Sequence, residues 1–191
     1  LDKMTGAWLK EYKQSHYTAD RIVVTLAGSF GDEILDEIKA RFSVMSPGKP
    51  KKLKPVAVQD SIVVKKKATE QNHLLAAFPA ITDRDPRKYQ MQLLSSILGG
   101  GMSSRLFQQV RGKNGLCYTV YSYGTSYEDV GLLSIYTALS RTQEPKAIAC
   151  IRDVLTEFLQ NGPTEEELDL VREQSKANVL MGLESTTARM S

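Results

Sequence analysis

The chain has 191 residues, 41% of them hydrophobic and 25% charged, which supplies one sizeable core in a soluble globular protein. Its net charge of +3 is mild, and its basic residues form no stripe interleaved with aromatics, so nucleic acid is excluded as an expected partner. No apolar run approaches the roughly 20 residues that span a bilayer, and Cys117 and Cys150 stand apart in no CxxC arrangement, which permits a reducing compartment and makes the cytoplasm the expected location.

Thr5 to Tyr17 reads as a helix that ends in His16-Tyr17-Thr18, and Arg21 to Ala27 (RIVVTLA) as a buried-type strand closed by Gly28. Asp32 to Phe42 spaces Ile34, Leu35, Ile38 and Phe42 along one helical face. Residues 1–42 thus form a helix-strand-helix unit. From residue 43 to residue 56 the composition turns to Pro, Gly and Lys, which cannot build a core and reads as an exposed linker. A second domain is expected over residues 57–191.

Within it, Ser61 to Lys67 and Asn72 to Phe78 read as strands, followed by a helix from Pro86 to about Leu98 that Gly99, Gly100 and Gly101 stop. A further helix from Ser103 or Ser104 to Arg111 turns Leu106, Phe107 and Val110 inward. Leu116 to Tyr123 and Val130 to Leu139 read as an antiparallel pair. Pro145 opens a helix with an apolar stripe of Ile148, Ile151, Val154, Leu155, Phe158 and Leu159, ended by Asn161-Gly162-Pro163. Thr164 and Glu167 then have the spacing of a capping box, which starts a last helix towards Leu183. Paired strands with helices between and after them give an α+β fold with a largely antiparallel sheet.

Chemistry concentrates in residues 98–136. Arg111 falls near a helix C-terminus and Tyr118 seven positions later, inside the next strand, so a reversal of the chain brings both to one wall of a cleft. A permanently charged guanidinium and a hydrogen-bonding phenol suit peptide carbonyls and a developing oxyanion. Neither activates water at neutral pH, so hydrolysis needs a metal or base from elsewhere. Spacing alone favours the plainer reading, a surface ion pair for Arg111 and core packing for Tyr118.

The string Gly99-Gly100-Gly101, Met102-Ser103-Ser104-Arg105-Leu106-Phe107-Gln108, Arg111 and Gly115-Leu116-Cys117-Tyr118 resembles the C-terminal-domain signature of pitrilysin/insulinase-type zinc metallopeptidases, in their mitochondrial-processing-peptidase-like branch. Similarity extends to His16-Tyr17-Thr18 and the strand to Ala27-Gly28, and to Leu183-Glu184-Ser185 with Arg189-Met190. The resemblance implies that family's α+β fold, an antiparallel or mixed sheet packed with helices. It implies a fragment covering the end of the N-terminal domain and most of the C-terminal one.

It also implies that Arg111 orients a substrate carbonyl, that Tyr118 donates to the oxyanion, and that Gly99, Gly100 and Gly101 form a substrate-facing loop. Peptide is the implied substrate. The family's HxxEH zinc motif is absent, because His16 and His73 both lack a partner. Zinc is therefore expected only in the parent protein, on ligands outside this chain, with none bound here, and the fragment alone is expected to be inactive. A zinc-bearing domain or partner subunit is implied. The alternative is a non-catalytic partner or scaffold subunit of the same fold. Because the second domain lacks its own closing strand, Arg21 to Ala27 is expected to fill that sheet edge, within the chain or by exchange in a homodimer.

Overall fold

The computed structural model describes residues 4–48 and 57–190. They belong to two compact units, one of residues 1–53 with 178–191, the other of residues 54–177. Of the 43–56 linker, residues 49–56 lie outside the described residues.

In the first unit, α1 (Gly6–His16) begins at Thr5, whose hydroxyl accepts the Trp8 N–H at 3.2 Å. Trp8, Tyr12 and His16 stack along one side of α1 at centroid spacings of 5.3 and 4.0 Å. Arg21 to Ala27 does not form a strand: after a 3-10 turn at Ala19–Arg21, residues 22–27 join no strand ladder among the described residues, and Val23 is 90% exposed. High β-propensity does not make a strand without a neighbouring ladder to satisfy its N–H and C=O groups. The expected filling of a sheet edge by this segment within the chain is thus corrected. The helix α2 (Asp32–Phe42) forms as expected, and none of its residues is buried.

The second unit is built on a three-stranded antiparallel sheet, β1 (Asn72–Ala80), β2 (Thr119–Ser126) and β3 (Gly131–Leu139), in the order β1-β3-β2. The expected strand Ser61 to Lys67 is absent, and Ile62 is 95% exposed, for the same want of a partner. Central β3 is the most buried strand, with Ile135, Thr137 and Leu139 on the face that meets the helices. The buried Thr137 hydroxyl donates to the Thr119 carbonyl at 2.9 Å, so it carries no unmet desolvation cost.

The second unit also holds α3 (Lys88–Gly99), α4 (Glu144–Asn161) and most of α5 (Glu165–Gly182), whose last residues belong to the first unit, as does α6 (Thr186–Met190). In α4 the buried positions are Ala147, Ile151, Val154 and Phe158, a narrower stripe than expected, since Ile148 and Leu159 are exposed. Gly162 at φ +69 ends α4, and the capping box follows: Thr164 N–H donates to Glu167 Oε2 at 2.8 Å, and Glu167 N–H to Thr164 Oγ1 at 3.2 Å. Leu98, Leu106, Val110, Leu116, Val120 and Ile135 share one core with α4. A cavity of about 600 Å³ opens beside it, lined by Phe78, Met91, Leu94, Phe158, Leu159 and Leu168 among others.

Candidate functional site

The helix expected to end at Arg111 changes character along its length. Arg105 and Leu106 are α-helical, and Phe107–Lys113 forms a π-helix, the wider turn that inserts one residue per turn and often marks a functional position. Leu106 and Val110, both fully buried, anchor the segment. Asn114 closes it by donating its side-chain amide to the Gln109 carbonyl at 2.7 Å, and the Leu116 N–H donates to the Val110 carbonyl at 2.9 Å. Between them Gly115 takes φ +59, a left-handed conformation that costs a residue with a Cβ and reverses the chain direction. Because this cap holds residues 114–116, β2 starts at Thr119, three residues later than the sequence pattern suggests.

That reversal returns Tyr118 to Arg111. The Arg111 guanidinium carbon lies 4.9 Å from the Tyr118 ring centroid and 4.8 Å from that of Phe107. Tyr118 is 73% exposed, which removes the core-packing alternative. Among the described residues the Arg111 guanidinium makes no ion pair and no hydrogen bond, so the surface ion pair that spacing allowed is not formed there. This surface therefore presents a guanidinium beside two ring faces, with its N–H donors uncommitted among the described residues, next to an accessible phenol.

The structure divides the glycine loop. A Cβ at Gly99 would overlap the backbone nitrogen of Ser122, so α3 can lie against β2 only with glycine there; Ser122 reinforces the contact by donating to the Ser95 carbonyl at 2.8 Å. A Cβ at Gly100 would stand 2.6 Å from the Ser96 Cα. Packing thus accounts for Gly99 and Gly100, whereas Gly101 faces open space.

Arg105, to which the sequence reading assigned no role, ties this region to α5. Its Nε and Nη2 donate to the two Glu167 oxygens at 2.6 and 2.7 Å, Nη2 also donates to the Gly162 carbonyl at 2.9 Å, and its guanidinium lies over Phe158. The Arg105 hydrogen bonds hold the Glu167 carboxyl down to about 2. Phe107 was also missed as a contact of Arg111. Its position four residues ahead was the available signal, but its apolar character reads as core.

Neither histidine joins a metal-ligating set. His16 hydrogen-bonds with Ser15 and the Tyr12 carbonyl, and His73 Nδ1 lies 2.7 Å from the Tyr136 hydroxyl. No group of three His, Cys, Asp or Glu among the described residues could hold a metal ion. Burial pushes the pKa of the Cys117 and Cys150 thiols up from the ordinary thiol value. No described helix is long and apolar enough to cross a membrane.

The sequence profile of the family described as Peptidase M16 inactive domain matches residues 3–175. The chain is 37% identical over 192 residues to the uncharacterized zinc protease YmxG of Bacillus subtilis, covering 100% of this chain and 47% of that protein. It is 30% identical over 201 residues to an uncharacterized zinc protease of Streptomyces coelicolor, covering 100% of this chain and 44% of that one. The crystal structure of a peptidase M16 inactive domain from Pseudomonas fluorescens superposes with a TM-score of 0.81 at 30% identity, over 91% of this chain and 43% of that one. A Helicobacter pylori protease shares the fold at 18% identity, with a TM-score of 0.78 over 98% of this chain and 48% of that one. The chain thus spans about half the length of the curated relatives it matches. Together with the α+β fold, these similarities carry the conclusion that the chain belongs to the family of peptidase M16 inactive domains.

Proposed function

We propose that this chain forms the substrate-gripping and transition-state-stabilising wall of a zinc-dependent endopeptidase that cleaves peptides or processes protein precursors. One observation carries the reading: a half-buried Arg111 without a carboxylate partner among the described residues, resting on the ring of the exposed Tyr118. A guanidinium left in that state has its donors free for a substrate backbone carbonyl, and the phenol beside it can donate to the oxygen on which charge develops. Gly101 remains a candidate for contact with the substrate chain.

The names of the relatives support a zinc-bearing parent, with the metal and the water-activating base supplied from outside these residues by another domain or a partner subunit. The outer edge of β1, which no described strand covers, is where an added strand is expected: substrate backbone or, in exchange between copies, residues 21–27. Free Cys117 and Cys150 fit a reducing compartment, the cytoplasm in this reading.

A quenched fluorogenic peptide with added zinc tests the division of labour. Residues 1–191 alone are expected to leave it intact, and the full-length protein to cleave it. Cleavage by residues 1–191 alone would overturn the division, and an inert zinc-loaded full-length protein would favour a non-catalytic partner role.

A further inference from the structure

We propose that Phe107 is a positioning residue for Arg111, holding its guanidinium so that the N–H donors stay available to the substrate; this rests on the functional reading above. A reactive arginine must be held in place, and the commonest means is a carboxylate. That solution occupies the N–H groups needed for substrate and neutralises their field. A ring face attracts the guanidinium carbon without taking a hydrogen bond. Arg111 has such a face on two sides of the sequence, Phe107 at 4.8 Å and Tyr118 at 4.9 Å, and among the described residues it has no oxygen partner.

The two rings are not equivalent. Tyr118 is exposed and follows the Gly115 reversal, so it belongs to the part of the wall that meets substrate. Phe107 is half-buried and sits next to fully buried Leu106, in the same π-helical segment as Arg111 and Val110. When the Tyr118 phenol turns to a ligand, the cation keeps one fixed surface only if Phe107 provides it. Arg105, six residues earlier, shows the contrasting arrangement: it rests on Phe158 as well, but its Nε and Nη2 donate to Glu167 and Gly162, and only its buried Nη1 has no partner among the described residues. One arginine is wired into the fold, and the other is held with its donors open.

The test uses the full-length protein and four variants: F107L, F107Y, R111A and the F107L/R111A double. F107L is expected to lower kcat/KM about tenfold, F107Y to restore it to within about twofold, and F107L to cost nothing further once R111A is present. A second readout does not depend on turnover: the side-chain Nε–H resonance of ¹⁵N-labelled Arg111 is expected to lose ring-current shift in F107L and regain it in F107Y. Additive losses in the double variant, or an unmoved Arg111 resonance, would overturn the assignment and make Phe107 a packing residue. Wild-type activity in F107L beside an impaired R111A would overturn it while leaving the Arg111 and Tyr118 reading intact. Wild-type activity in R111A would remove that reading and this one with it, and the resonance would still report whether the ring holds the cation.

Discussion

Arg105 and Glu167, 62 positions apart, form a two-pronged ion pair at 2.6 and 2.7 Å that joins the start of the π-helical segment's leading turn to the N-terminal turn of α5. The same Glu167 carboxylate accepts the Thr164 N–H, so one side chain serves both the tertiary link and the helix cap.

This arrangement has a pH signature. Glu167 is held at about 2 against an unperturbed 4.5, chiefly by Arg105. A folded-state value below the unfolded one adds stability that is complete above pH 4.5 and is lost as the pH falls towards 2. E167Q is expected to cost about 2 kcal/mol at pH 7 and progressively less below pH 4, measured by urea unfolding across that range. A cost independent of pH would show that the pair contributes shape and not charge.

Gly99 and Gly101 separate packing from loop function. G99A pushes a methyl group into the Ser122 backbone and is expected to destabilise by about 2–3 kcal/mol, whereas G101A, facing open space, is expected to stay within about 0.5 kcal/mol. Thermal unfolding of the two variants decides it; equal shifts would contradict the close approach of α3 and β2.

The Gly115 turn sets where Tyr118 arrives. G115A forces a Cβ into φ +59 and is expected to cost about 1 kcal/mol, with G115N recovering part of it because asparagine tolerates that region. If the turn alone aims the phenol, peptide cleavage by full-length G115A falls by more than its lost stability explains, and cleavage tracking the folded fraction would argue against that role.

The sequence revealed most where a local rule was also the tertiary rule. The buried part of the α4 stripe, the Thr164 and Glu167 box and the β2 and β3 pair follow from spacing and cap chemistry that the surroundings reinforce, whereas spacing left the meeting of Arg111 with Tyr118 open and the family resemblance carried it. The π-helix was invisible, because residues 103–111 carry the same apolar spacing whether the turn is α or π. The stretches 21–27 and 61–67 have strand composition, but strand formation depends on a partner ladder that composition cannot supply. Gly99 resembled part of a binding loop, since the Ser122 backbone against which it packs lies 23 residues on.

Steady-state cleavage by full-length Y118F tests the central claim most directly, because it removes a single hydroxyl and leaves the ring on which Arg111 rests. Loss of an oxyanion donor is expected to lower kcat about 10²- to 10³-fold with KM within about threefold. An unchanged kcat would contradict a transition-state role for this wall and leave Arg111 and Tyr118 as a binding surface alone.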